Sequence, residues 1–394
     1  MVAEAVLRHP KGLYAVYEGG KTYQVSAILI ANLAGLPAFF YRQRDNDLMS
    51  LREEIFEQPA VLQRWLRTQL PVAQEIGRTL QQREIDFVFL AARGTSDHAG
   101  VYAQYLWGAE NKLPVAFAAP SLFTRYGEWP RLKHSLVVGI SQSGQSPDVV
   151  SVIAEGRKQG AATLAITNAI DSPLAQSAEF VLDVHAGAEK AVAATKSYTA
   201  QLMAIAAMSA AMSNDAAQLA ALAQVPEAIA QALTLDSTAK NIAHELFNRM
   251  TQCVVLGRGF NYATAMEWAL KLKELSYVFA YPYSSADFQH GPIAIIEPGA
   301  AVLAIAPSGA VLGDMQAILH VLRDERKAQL LVLSDSEEAL QLGHASMRLA
   351  TGLPEQLTPL LNIVPAQLFT YHLTQAKGYD TEAPRGLHKV TRTE

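Results

Sequence analysis

The chain has 394 residues, a formal net charge of −5, and a composition half hydrophobic and 18% charged, enough to bury two α/β cores and too apolar for a disordered chain. That charge gives no attraction to nucleic acid or to an anionic membrane, and no Lys/Arg run supplies one locally, so neither is an expected partner and any phosphate must be held by a local device. Cys253 is the sole cysteine; an intramolecular disulfide is excluded and a reducing compartment fits.

In chain order, the start Met1-Val2-Ala3-Glu4 lacks the order of a secretion signal, and a cytoplasmic location is expected. Residues 1–46 read as a separate small extension of unknown role. Within it, residues 25–41 are apolar but broken by Asn32 and Pro37, which suits a packed segment better than a membrane span. Residues 47–80 read as a helical lead-in. Short β-branched or leucine-rich runs bounded by Gly, Ser or Asn then predict strands near 86–91, 135–140, 162–167 and 180–184. Helical periodicity lies between them, as in Val149, Val152, Ile153 and Gly156. The alanine-rich stretch from Ala204 to Met250, interrupted near Ser213-Asn214-Asp215 and from Thr234 to Ser237, reads as connecting helices. Cys253 begins an apolar run and reads as a buried, inert thiol.

The second half echoes the first. FVFLAARG at Phe87 recurs as CVVLGRG at Cys253, LVVGISQSG at Leu136 recurs as VLAIAPSG at Val302, and both pairs stand 166 residues apart. One offset for two strand-then-Gly/Ser segments implies a duplicated domain. The predicted class is α/β, with two tandem doubly wound parallel sheets. The expected boundaries are 47–215 for the first domain with its lead-in, 216–380 for the second with its connecting helices, and 381–394 for a C-terminal tail.

Four segments carry candidate chemistry. After the strand LVVGI comes Ser141-Gln142-Ser143-Gly144-Gln145-Ser146-Pro147-Asp148 and then a helix. Alternate hydroxyls, a turning glycine and a helix N-terminus make an anion cradle; the plainer reading is a capped turn with Ser146 or Asp148 as the cap. Arg93-Gly94-Thr95-Ser96-Asp97-His98 ends the preceding strand at the same sheet edge, so the two loops are expected to face one crevice. Arg93 reads equally as a phosphate partner or as a surface cation. In the second repeat, Glu267, Lys271 and Glu274 share one helical face. That stripe is either a surface ion-pair ladder or, since the other sides are apolar, the wall of a cavity where a carboxylate can move a proton between adjacent carbons. His290, between a polar loop and Gly291-Pro292, is a candidate for proton transfer. No Walker loop, complete GxGxxG or metal-ligand spacing is present, so no cofactor and no metal are expected.

Taken together, R93-G-T-S-D-H98, S141-Q-S-G-Q-S146, V192-A-A-T-K-S-Y-T-A-Q201, L256-G-R-G259, E267-W-A-L-K-L-K-E274, H290-G-P292 and the tail P384-R-G-L-H-K-V-T-R-T-E394 resemble the sugar-isomerase (SIS) family. Within it, the likeness is to the isomerase half of glucosamine-6-phosphate synthase and to stand-alone deaminases. The resemblance implies phosphate contacts from Ser141, Gln142, Ser143 and Ser146, with Thr95, Ser96, Arg93 and Val192 nearby. It implies Glu274 as the C1/C2 proton carrier, His290 as the ring opener, Lys389 as the tail lysine engaging the substrate carbonyl, and Lys271 as an auxiliary cation. It also implies an amino-sugar phosphate substrate and a homodimer with shared sites. With Val2 after Met1 and its cysteine inside a strand, the chain is not expected to hydrolyse glutamine. RGTSDH, SSADFQHGP and KVTRT look more like the deaminase branch, so the expected activity is conversion of glucosamine 6-phosphate to fructose 6-phosphate and ammonia. Ammonia-dependent synthesis or deglycation of a fructosamine phosphate are the alternatives that keep the fold, and a non-catalytic sugar-phosphate sensor is the alternative of another class.

Overall fold

The computed structural model describes residues 5–9, 12–17, 21–24, 50–350 and 352–389. It divides into two compact units, Met1–Leu48 and Met49–Glu394. In the first unit, β1 (Ala5–His9), β2 (Gly12–Tyr17) and β3 (Lys21–Gln24) form an antiparallel meander in that order. The apolar run 25–41 lies outside the described residues, as do residues 390–394 of the tail.

The second unit opens with two helices, α1 (Leu51–Thr68) and α2 (Leu70–Leu80). A capping box starts α1: Glu53 N–H donates to Ser50 Oγ at 3.2 Å and Ser50 N–H to Glu53 Oε2 at 2.6 Å, so two amides without intrahelical partners are satisfied at once. Five strands follow: β4 (Phe87–Ala91), β5 (Val115–Phe117), β6 (Ser135–Ser141), β7 (Ala162–Thr167) and β8 (Phe180–Asp183). They are parallel throughout, in the order β5-β4-β6-β7-β8. Every residue of β6 and of β7 is buried, as the near-continuous apolar runs require of central strands covered by helices on both faces. Between them lie α3 (Thr95–Glu110) and α4 (Pro147–Lys158).

The long α5 (Lys196–Ser213) is followed by connecting helices Ala216–Leu222, Val225–Leu233 and Asp236–Glu245. Two breaks fall where the sequence places them, at Asn214-Asp215 and around Thr234; a third, at Ala223-Gln224, carries no Gly, Pro or Asn to mark it. Then the pattern repeats: β9 (Gln252–Gly257), β10 (Phe279–Ser284), β11 (Ala301–Ile305), β12 (Gln329–Ser334) and β13 (Ala345–Arg348). They pair in parallel in the order β10-β9-β11-β12-β13. Both sheets therefore have one topology, which is what the 166-residue offset requires. Helix α6 (Tyr262–Ser276) follows β9 as α3 follows β4, α7 (Leu312–His320) follows β11 as α4 follows β6, and α8 (Thr358–Ala376) closes the unit.

The largest core cluster runs through both halves, including Trp65, Trp107, Tyr198, Trp268 and Phe369. Smaller clusters cover the other face of each sheet, around Val137, Val149 and Ile153 in the first and Val302, Met315 and Leu319 in the second. α3 packs on α6, and α8 on α6. The sharing of one core brings side chains of the second half to the strand ends of the first.

Candidate active site

Strand order reverses between β4 and β6, and the carboxyl ends of these two strands are where an open α/β sheet leaves a crevice. A cavity of about 370 Å³ lies there, lined by Arg93–Ser96, by Ser141, Gln142, Ser143 and Ser146, and by Val192, Lys271, Glu274 and Lys389. The two loops thus share one crevice, and of the sequence-derived candidates His290 and Glu267 are outside its lining. His290 is exposed at the end of the short helix Ser285–Gln289.

The serine loop is shaped by glycine and hydroxyls. Gly144 has φ +61°, and a Cβ on it would run into Ser172 Oγ; only glycine turns the chain there without strain. Gly144 N–H donates to Ser141 Oγ at 3.1 Å and Gln145 N–H to Ser143 Oγ at 3.4 Å. These bonds within the loop are ones that phosphate oxygens can replace. Ser146 is the N-cap of α4 but makes no side-chain cap bond, so a Ser146-capped turn does not account for the loop. Asp148 accepts from Arg93, Nε at 3.1 Å and Nη2 at 2.7 Å. Arg93 is therefore paired rather than a free surface cation, and it still lines the cavity. Its guanidinium lies half-exposed at the rim, held by a nearly buried carboxylate.

The polar stripe of α6 is buried rather than a surface ladder. Glu267 is fully enclosed; it accepts from Thr95 Oγ1 at 3.0 Å, meets His98 Nδ1 at 2.7 Å and lies 3.5 Å from Lys271 Nζ. Lys271, also buried, donates to Glu274, which is a quarter exposed and lines the cavity. Burial alone would depress Lys271, but the carboxylates of Glu267 and Glu274 outweigh it and hold the ammonium above the ordinary lysine range. The stripe thus splits by role, with Glu267 behind the wall and Lys271 and Glu274 on it. Such a buried charge row is costly unless every member is paired, and here each is.

Glu189, Gln201 and Ser197 also line the cavity, and the sequence reading gave them no role. Glu189 is buried beside the cavity: its Oε1 accepts from the amides of Thr195 and Ser197, both at 3.0 Å, and its Oε2 from Ser197 Oγ and Lys389 Nζ, both at 2.7 Å. Burial would raise its pKa, but Lys389 and the backbone and hydroxyl donors prevail, holding the carboxyl below the ordinary range. Gln201 donates Nε2 to Ser96 Oγ at 3.0 Å, while its Oε1 meets no protein donor. Ser197 is the third. In sequence, Glu189 sits among Ala, Gly and Lys and looks like a solvated loop residue; the Ser/Thr-rich stretch after it was the only signal. The lead-in α1 explains its placement, since Glu54 accepts from the amides of Lys190 at 2.5 Å and Ala191 at 3.4 Å, and Glu57 pairs with Lys196 at 2.6 Å.

The tail crosses this site. Leu387, His388 and Lys389 line the cavity. Upstream, the Arg385 guanidinium lies 4.4 Å from the Tyr277 ring centre and 4.9 Å from that of Tyr379, and the Arg385 amide donates to Tyr277 Oη at 2.8 Å. Among the described residues no group of His, Cys, Asp or Glu is arranged to hold a metal, and no helix is long and apolar enough to cross a membrane. Cys253 is buried, and burial pushes its thiol far up.

Comparison with known proteins agrees with this geometry. The SIS domain model matches residues 83–211 and 245–376. A glutamine–fructose-6-phosphate aminotransferase (isomerizing) of Pyrococcus horikoshii is 33% identical over 350 residues, which cover 87% of this chain and 57% of that protein. This chain thus spans little more than half the length of such relatives. The C-terminal domain of glucosamine-fructose-6-phosphate aminotransferase from Francisella tularensis superposes with a TM-score of 0.77 at 28% identity, covering 86% of this chain and 99% of that one. A glucosamine-6-phosphate deaminase from Thermotoga maritima has a TM-score of 0.68 at 20% identity, covering 87% and 99%, a likeness of fold alone.

Proposed function

Since this chain belongs to the SIS-domain family, we propose that it interconverts glucosamine 6-phosphate with fructose 6-phosphate and ammonia by proton transfer between C1 and C2. The observation that carries this reading is the convergence of Glu274, Lys271 and Lys389 on the cavity that the serine loop also lines. The phosphate sits on Ser141–Ser146, and binding energy spent there orients the reacting carbons. In one direction ammonia adds to the C2 carbonyl and water leaves, giving an imine. Glu274 then takes a proton from C1 and returns it to C2, leaving an aldehyde at C1 and an amine at C2. In the other direction the proton moves from C2 to C1, and water hydrolyses the resulting imine.

The relatives at 33% identity are aminotransferases, and this favours the synthetic direction over the deaminase direction expected from the motifs. The deaminase expectation keeps the support of shared fold. The same reading takes a homodimer in the cytoplasm as the working unit. His290, exposed outside its own chain's cavity, is then the ring-opening group offered to a second copy.

Both directions are tested in one experiment: fructose 6-phosphate with ammonium, and glucosamine 6-phosphate alone, each followed for amino sugar, ketose phosphate and ammonia. Turnover in at least one direction is expected. Inertness toward both, with turnover of a fructosamine phosphate, overturns the reading in favour of a deglycase.

A further inference from the structure

Gln201 stands one helical turn after Ser197 on α5, and both line the cavity. Its side chain is buried. Nε2 donates to Ser96 Oγ at 3.0 Å, whereas Oε1 is enclosed and meets no donor. A buried carbonyl oxygen left without a donor is costly, so this amide does little for stability, and its one bond is the feature to explain. Ser96 is the second residue of α3, is itself buried and also lines the cavity. Its hydroxyl carries one hydrogen and two lone pairs. Gln201 fills a lone pair, and among the described residues Ser96 Oγ has no second partner, so the hydrogen stays available to whatever occupies the cavity. Were the amide reversed, Ser96 would donate to Gln201 and show the cavity only lone pairs. Two neighbouring hydroxyls that line the cavity are committed in that other sense, since Thr95 Oγ1 donates to Glu267 and Ser197 Oγ to Glu189. Of these three, Ser96 alone keeps its hydrogen.

We propose that Gln201 is a positioning residue that fixes Ser96 as a hydrogen-bond donor, so that Ser96 selects an acceptor oxygen on the bound phosphosugar. Thr95 and Ser197, whose hydrogens are given to buried carboxylates, offer the ligand lone pairs only. The three hydroxyls thus present a fixed pattern of one donor and two acceptors, and a ligand with the complementary groups binds without reorienting them. This rests on the phosphosugar reading above. It adds the residue that sets the direction of one hydrogen bond.

Calorimetric titration of the full chain with fructose 6-phosphate and with inorganic phosphate is the test. Gln201→Met keeps the length of the side chain and removes the amide. It is expected to weaken fructose 6-phosphate binding about fivefold, as for one neutral hydrogen bond, and to raise KM more than it lowers kcat, with the melting temperature close to that of the wild type. Weakening of fructose 6-phosphate alone assigns the acceptor to the sugar, and equal weakening of inorganic phosphate assigns it to the phosphate; unchanged affinity for both overturns the proposal. Ser96→Ala is expected to bind as weakly by itself as when combined with Gln201→Met. Fully additive losses would show that Gln201 acts without Ser96, and overturn it too. Should Gln201→Met fail to fold, Gln201→Glu takes its place in the same cycle, since a carboxylate only accepts and claims the Ser96 hydrogen. Wild-type protein that binds fructose 6-phosphate without turning it over fails the reaction reading alone, whereas binding of neither ligand overturns both.

Discussion

The two halves place the same loop at the same sheet edge and use it in opposite ways. After β6, the amides of Gly144 and Gln145 are met only by hydroxyls of their own loop, which an incoming anion can displace. After β11, the amides are already taken by carboxylates from elsewhere in the chain: Ser308 N–H donates to Asp335 Oδ1 at 2.6 Å and Ala310 N–H to Glu355 Oε2 at 2.7 Å. The flanking ion pair survives in both, as Arg93 with Asp148 at 2.7 Å and as Arg258 with Asp314 at 3.3 Å; Asp148 and Asp314 stand at the duplication offset. The fold therefore repeats one loop, and side chains from elsewhere in the chain occupy its amides in the second half alone. In exchange, the second half lends α6 to the first, where Lys271 and Glu274 line the cavity.

The largest effect tests that loan. Glu274→Gln keeps size and removes the base, so kcat is expected to fall by about 1000-fold while phosphosugar affinity, set by the other half, stays within a few fold; calorimetric titration alongside steady-state kinetics separates the two. If turnover survived, another group would move the proton and the loan of α6 would have no catalytic meaning. Next come the two glycines. Gly144→Ala combines a left-handed φ with a clash against Ser172, and a loop displaced by strain of about 1–3 kcal/mol should raise KM by roughly tenfold or more. Its counterpart Gly309→Ala, at φ +151° and pressed on Glu355, should cost similar stability in a denaturant melt yet leave KM unchanged. Equal KM effects at both positions would break the distinction.

Smaller still is Glu355→Ala. It removes the acceptor of an exposed Ala310 amide, worth about 1 kcal/mol of stability, and activity should not change. The smallest effect concerns the tail. Because the Glu189 carboxyl is held below its ordinary range, its contribution to docking is fully present above the unfolded carboxylate pKa and is lost only as pH falls through the lowered folded value. Hydrogen exchange at residues 384–389 should stay protected at pH 5 and increase only in stronger acid, below roughly pH 4. Release near neutral pH would mean that Glu189 does not hold the tail.

Much of the fold was legible because it is written in local patterns. The strands at Phe87, Ser135, Ala162 and Phe180 fall within a residue of where apolar runs and their bounding turns predict them, and the repeat at a single offset implied two like sheets before either was seen. The serine loop was legible as part of the cavity for the same reason, since its pattern lies in consecutive residues. The rest of the site was not. Arg93 was balanced between phosphate and solvent until the structure placed Asp148 against it, and Glu267 and Glu274 shared one helical face without any sign that one would lie behind the wall and the other on it.

Glu189 and the docking of Lys389 mark the limit most clearly, being 200 residues apart in the chain and 2.7 Å apart in space. Periodicity and turn chemistry report what each residue does with its near neighbours, so sequence by itself determined strands, helices, duplication and the serine loop. Which carboxylate is enclosed, which cation meets it and which loop's amides are occupied depend on how distant parts of the chain pack together. Burial sets the cost of every unpaired charge there, and burial exists only in the folded chain.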